Sequence, residues 1–191
     1  ETIEAEIWRL TPQELTRAGI PHDNDSSWFP ARAAQRVTLD VKSAHNATRF
    51  SALRLRGEGE RSGIYLVRLQ SPQLPAPQGM NSRPNWRVLA QVTDLAVHAK
   101  LGPASGLAWV TSIGSGKPIG NAQVELYDGD ATLIYSGVSD NDGLVKLPGL
   151  ASRASRDSWV PTPAVLVLAR RGDEFAVHDQ QAVVVSFEVG L

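Results

Sequence analysis

Clustered acids, histidines and serines are where chemistry would start. Ser139-Asp-Asn-Asp-Gly143 has the acid–amide alternation that opens a calcium loop, in which oxygen ligands surround the ion. Counting from Asp140, however, the glycine falls at the fourth position instead of the sixth, and no Glu follows at the far end. Asp-Gly between apolar runs is a hairpin signal, because glycine accepts positive φ, so a hairpin turn is expected. Asp128 and Asp130 lie in the preceding turn, Tyr127-Asp-Gly-Asp. They would join Asp140 in a weak divalent site only if both turns sat at one end of a sandwich. His22-Asp-Asn-Asp25 sets an imidazole beside carboxylates, as metal sites require, but it lacks a second spaced His or Glu. His45, His98 and His178 are scattered singly, and the last two alternate with apolar neighbours as outward strand residues do. No metal or cofactor is expected.

The serines give no hydrolase signature. Gly102-Pro-Ala-Ser-Gly106 has serine in the fourth place, not the third, and misses the nucleophile elbow. Gly114-Ser-Gly-Lys-Pro118 lacks both the earlier glycine and the Ser/Thr of a phosphate cradle, and reads as a turn before a strand. Glu58 and Glu60 flank a glycine in a polar turn, without the cleft that paired carboxylates need for glycoside hydrolysis. Arg171-Gly-Asp173 matches an adhesion tripeptide, but Gly-Asp is also ordinary turn chemistry. Asn46-Ala-Thr48 fits a glycosylation sequon. No catalytic residue is expected. Trp28, Trp86 and Trp159 lie in or beside long loops, where they would plug a sandwich end or a seam between domains, or stack on a sugar. Arg54, Arg56 and Arg68 are expected to face outward on strands and suit interface ion pairs with carboxylates.

The composition bounds what the elements can be. The chain has 191 residues, 42% hydrophobic and 20% charged, with a net charge of −1. That is enough apolar residue for a sizeable core and too balanced a charge for disorder or for binding nucleic acid through a strong positive field. No apolar run approaches the roughly 18 residues of a membrane span. Cysteine is absent, which removes disulfides, thiol catalysis, thioesters and Cys-ligated zinc. The chain starts at Glu1 without an initiator Met or a leader, and is expected to be a piece of something larger.

The periodicity is mostly two. Val37, Leu39 and Val41 alternate with Thr38, Asp40 and Lys42, and Ala122, Val124 and Leu126 with Gln123, Glu125 and Tyr127. Further strands are expected at Ile3–Leu10, Phe50–Arg56, Ile64–Leu69, Arg87–Val92, Leu107–Ile113, Thr132–Tyr135, Leu144–Leu147, Ala164–Ala169, Glu174–His178 and Ala182–Val189. One helix is expected at Thr11–Arg17, capped by Thr11, with Pro12 at its first position, Glu14 completing the capping box and Gly19 ending it. About a dozen strands exceed one sandwich. The expectation is therefore an all-β chain of two tandem antiparallel sandwiches, 1–90 and 91–191. The first carries 12 Lys+Arg and 9 Asp+Glu, the second 7 and 11. Trp86 to Leu101 reads as almost continuous strand, so one domain should pass directly into the next. Residues 19–35, 70–85 and 151–163 are long irregular stretches, too long for ordinary hairpin connections.

Gly63-Ile-Tyr-Leu-Val-Arg-Leu69 resembles the strand with which bacterial α2-macroglobulin domains close. Val88-Leu-Ala-Gln-Val-Thr-Asp-Leu95 follows, then Gly106-Leu-Ala-Trp-Val-Thr-Ser112. After them come Gly116-Lys-Pro-Ile-Gly-Asn-Ala-Gln-Val-Glu-Leu126 and Gly137-Val-Ser-Asp-Asn-Asp-Gly-Leu144. In that order they look like the macroglobulin-domain signature, and the likeness covers nearly all of the second half. The resemblance implies fibronectin- or Ig-like macroglobulin sandwiches from a large bacterial protease-trapping protein, periplasmic and anchored upstream. The thioester signature of that family has no counterpart, since there is no Cys. Implied partners are neighbouring domains of the parent chain, target proteases through the full protein, and a periplasmic or membrane-associated protein; no nucleic acid is implied. The rival reading is a cell-surface adhesin or carbohydrate-binding pair using Trp28, Trp86 or Trp159.

Overall fold

Alternating residues in an extended chain point to opposite faces, so each two-residue rhythm above specifies one strand with one buried side. In the computed structural model such segments form twelve strands among the described residues, which are 2–18, 29–41, 50–55, 62–73, 85–128, 132–150, 165–179 and 185–187. Strand β1 (Thr2–Leu10) leads into α1 (Pro12–Ala18), β2 (Gln35–Asp40), β3 (Gly63–Gln70) and β4 (Asn85–Val92). Then come β5 (Leu95–Leu101), β6 (Ser105–Ser112), β7 (Gln123–Asp128), β8 (Leu133–Val138) and β9 (Leu144–Pro148). The last are β10 (Val165–Arg171), β11 (Glu174–Asp179) and β12 (Val185–Phe187). The all-β, antiparallel architecture is as expected. Among the described strands only β12 runs parallel to its neighbour, β4.

Three sheets result, ordered β12-β4-β3-β1-β2, β11-β10-β7-β8 and β5-β6-β9. They are stacked as layers. Val165, Val167 and Ala169 of β10 pack with Val124 and Leu126 of β7 against Leu95, Val97, Ala108, Val110, Val145 and Leu147 of the β5–β6–β9 sheet. Leu166 and Leu168, pointing the other way, pack with Phe175 and Val177 against Trp8, Leu10, Ile64 and Leu66 of the β1-containing sheet. The middle sheet therefore serves two cores. That is why Val165–Ala169 is apolar without interruption, as strands covered on both sides must be.

The helix begins as its residues dictate. Thr11 N–H donates to Glu14 Oε2 at 2.9 Å, and Glu14 N–H donates to Thr11 Oγ1 at 3.2 Å, a reciprocal capping box with Pro12 at the first helical position. Gly19 lies outside the described residues. Strands β4 and β5 are separated only by Thr93 and Asp94, so the chain does pass almost directly from one sheet to the next.

Two expectations fail. Residues 50–55 form no strand; Leu53 and Leu55 instead pack on the outer face of the first sheet, over Ile7, Tyr65, Val67 and Val92. Their alternation buries one side without any ladder partner. Second, Ser139–Gly143 is a tight turn but not a hairpin within one sheet, because β8 belongs to the middle sheet and β9 to the third. The turn carries the chain across the core between them.

Candidate functional site

The signature residues build one end of the β5–β11 sandwich. Thr93, fully buried, accepts a hydrogen bond on Oγ1 from Leu95 N–H at 3.0 Å. Asp94 holds the distant 113–116 turn: its carbonyl accepts from Ile113 N–H at 2.7 Å and its Oδ1 from Gly114 N–H at 2.8 Å. Ser139 Oγ donates to Ile119 O at 2.8 Å and accepts from Ala122 N–H at 2.9 Å. It thereby fixes the bend in which Asn121 takes a positive φ of 58°. Asp140 Oδ1 accepts from Asp142 N–H and Leu144 N–H, at 3.0 and 2.8 Å, as an aspartate in a turn does. Gly143 has φ 76°, and a Cβ there would lie 2.4 Å from Val110 O. The Asp94, Ser139 and Asp140 side chains are thus spent on backbone donors and acceptors, which is structural chemistry.

The seam between the first and middle sheets is the second constellation. Its centre is apolar, with Leu15, Ile64, Leu66 and Leu168 each 1% exposed or less. Inside it Gln91 of β4, 5% exposed, accepts on Oε1 from the Val177 N–H of edge strand β11 at 3.1 Å. An unpaired buried N–H would cost about 1–3 kcal/mol, so this one side chain registers the two sheets against each other. Towards the rim the packing becomes aromatic and cationic. Trp8 Nε1 donates to Arg32 O at 3.1 Å, and the Trp8 and Phe29 rings lie 5.3 Å apart. The Arg68 guanidinium sits 4.6 Å from the Phe29 centroid and pairs with Glu6, which also binds Arg36 at 3.0 Å. Glu14 is lowered below its usual value of 4.5, chiefly by its hydrogen bond from Arg32, and Arg32 is correspondingly raised. Arg87 is lowered by burial.

On the exposed part of the middle sheet, Tyr127 OH donates to Glu125 Oε2 at 2.9 Å. Its phenol is pushed up to about 12, first by burial and then by that carboxylate. Arg170 completes the row, donating to Gln123 Oε1 at 2.7 Å. A cleft of about 730 Å³ opens where Arg9, Thr11 and Ser62 face Arg170, Asp173, Glu174 and Phe175. Arg9 there is engaged by Ser62 O at 2.9 Å.

The residues singled out from sequence are dispersed. Asp128 Oδ1 accepts from Thr132 N–H at 2.9 Å; Asp130 is outside the described residues. So are His22–Asp25, His45, Asn46–Thr48, Arg56, Glu58, Glu60, Trp28 and Trp159. Among the described residues no three His, Cys, Asp or Glu converge on one point. Gly102–Gly106 forms the β5–β6 turn, closed by Gly102 N–H to Ser105 O at 3.0 Å. Gly114–Pro118 is a turn, with Gly116 at φ 67°. Arg171-Gly-Asp173 is the tip of the β10–β11 hairpin, where Gly172 has φ 58°. Trp86 sits on β4, half exposed on the outer face of the first sheet, and plugs neither seam nor sandwich end. Among the described residues the buried seam tryptophan is Trp8, which sits within a strand and away from the long loops. Arg54 is exposed in the irregular 50–55 segment, and Arg68 turns towards the seam instead of outward. The ion pairing expected of Arg68 is present, with Glu6.

A family model described as the bacterial alpha-2-macroglobulin MG3 domain matches residues 92–188. The chain belongs to the bacterial alpha-2-macroglobulin family. No curated protein matches it. Among solved structures it is similar to native alpha-2-macroglobulin from Escherichia coli spanning domains NIE-MG1. There the TM-score is 0.62 at 17% identity, over 95% of this chain and 84% of that one. It is also similar to the same protein spanning MG0-NIE-MG1, with TM-score 0.61 and 18% identity. That second match covers 94% of this chain but 55% of the other. At such identities the likeness is one of fold.

Proposed function

We propose that the chain is a non-catalytic scaffold within a bacterial alpha-2-macroglobulin-type protease-trapping inhibitor. In this reading it transmits force and geometry between neighbouring domains and does no chemistry of its own. The observation that carries the reading is the middle sheet, whose β10 and β11 are buried on both faces, with the Gln91–Val177 hydrogen bond inside the seam. Two layers that share a sheet move as one body, and a rigid body is what a rearranging cage of modules needs. The macroglobulin family match supports it, as do the family motifs whose side chains are occupied in holding turns. We place the parent protein in the periplasm, anchored through a preceding segment, by analogy with the family alone.

Mixing the purified chain in stoichiometric amount with several unrelated proteases tests the role. Their activity on a large protein substrate should be unchanged by this chain and should fall with the full-length protein. Tight inhibition by the chain alone overturns the scaffold reading. Titrating the chain with a glycan panel while following tryptophan fluorescence tests the rival; saturable quenching would favour a carbohydrate-binding pair.

A further inference from the structure

The third sheet has a buried inner face, and alternation therefore turns His98, Lys100, Leu107, Trp109, Leu144 and Lys146 outward. Trp109 and Leu107 are 43% and 42% exposed. The indole is nevertheless held. Its Nε1 donates to the Asp142 carbonyl at 3.1 Å, and the His98 ring, directly across the strand pair, lies 6.3 Å away. Lys100 and Lys146 flank Leu107 from the two neighbouring strands, both exposed. Among the described residues neither makes an ion pair. No strand position on this face is Asp or Glu, although residues 91–191 hold 11 acids against 7 bases.

We propose that this face docks an acid-bearing surface of another module of the same parent chain, with Trp109 as the anchor and Lys100 and Lys146 as the charged rim. The inference rests on the reading of the chain as one part of a larger multi-module protein. Two features of the face select this occupant. A rigid, half-exposed Trp beside Leu, edged by cations, has the anatomy of a protein–protein hot spot. The stacking also ends here: the middle sheet is covered on its other side by the first, and on the outer face of this terminal layer Trp109 and Leu107 stay half exposed.

Other occupants fit less well. A sugar needs several hydrogen-bonding side chains around the ring, and here Leu107 and Leu144 take two of the positions beside it, with His98 across the strand pair. An anionic membrane meets only two lysines on a half of net negative charge. A second copy docked through the same face would set lysines against lysines.

Zero-length carbodiimide cross-linking of the full-length protein tests the proposal, because it joins lysine amines only to carboxylates in contact. A mixture of heavy- and light-isotope protein separates links within one chain from links between copies. Links from Lys100 or Lys146 to an Asp or Glu in another module of the same chain are expected, in excess of any from the exposed turn residue Lys117. Links confined to residues 1–191, links between copies, or no excess over Lys117 would overturn it. Protease trapping is scored separately on untreated protein. Links without trapping sink the inhibitor reading and leave the docking face standing, and trapping without links does the reverse.

Discussion

Leu126 and Leu168 lie in the same sheet, 0% and 1% exposed, and point into opposite cores. Replacing a buried leucine by alanine removes its transfer free energy and leaves a cavity, for about 2–5 kcal/mol. For a chain of this size about 2–4 °C is lost per kcal/mol, so each variant should melt about 4–20 °C below the parent. The informative quantity is how many transitions there are. If the middle sheet is a shared layer, neither core survives loss of the other. Leu126→Ala then lowers the same single transition as Leu168→Ala, although Leu126 never touches the first sheet. Calorimetry, with urea unfolding followed by tryptophan emission and by far-ultraviolet circular dichroism, reads this directly. Coincident curves and one heat-absorption peak are expected for both variants. Two resolved transitions, with Leu126→Ala moving only one, would refute the claim that the layers form one cooperative unit.

Gly143→Ala should destabilise by more than about 2 kcal/mol, because left-handed backbone alone costs roughly 1–2 kcal/mol for an L-residue and the new Cβ would strike Val110 O. Thermal melting checks it. Glu14 is lowered in the folded state, so its contribution is present above its usual value of 4.5 and is lost as pH falls through the folded value. Glu14→Gln should therefore flatten the drop in urea midpoint below pH 4.5 while keeping the cap, and Thr11→Ala should cost about 1 kcal/mol at neutral pH. Tyr127 is raised to about 12, so the stability it confers is present below its usual value of 10.0 and disappears as pH rises towards 12. Absorbance at long ultraviolet wavelength should show a late-ionising phenol that Tyr127→Phe removes.

Strand positions were legible because alternation is a local property. Val124 and Leu126 betray their buried side without knowledge of any partner, and the capping box at Thr11–Glu14 is complete within four residues. What alternation does not encode is which surface lies opposite. Leu53 and Leu55 carry a strand's rhythm yet cover a sheet without joining one. The unbroken apolar run of β10 reads as a strand, but only the stack explains why both of its faces are greasy. The Asp-Gly turn announces itself, whereas the sheet its exit strand joins is decided by packing. Arg68 looks like an outward residue until Glu6, Trp8 and Phe29 are assembled around it. Gln91 gives no local sign at all, since its partner, Val177 N–H, lies 86 positions away.

The parallel pairing of Val185–Phe187 with Ala90–Val92 has a consequence for biogenesis. During synthesis the leading sheet waits, its β4 flank bare, until β12 has emerged. A bare flank of this kind recruits wrong strands. Nascent chains stalled before Val185 are thus the species a chaperone must shield, and Val185–Phe187 act as the latch that ends that vulnerable interval.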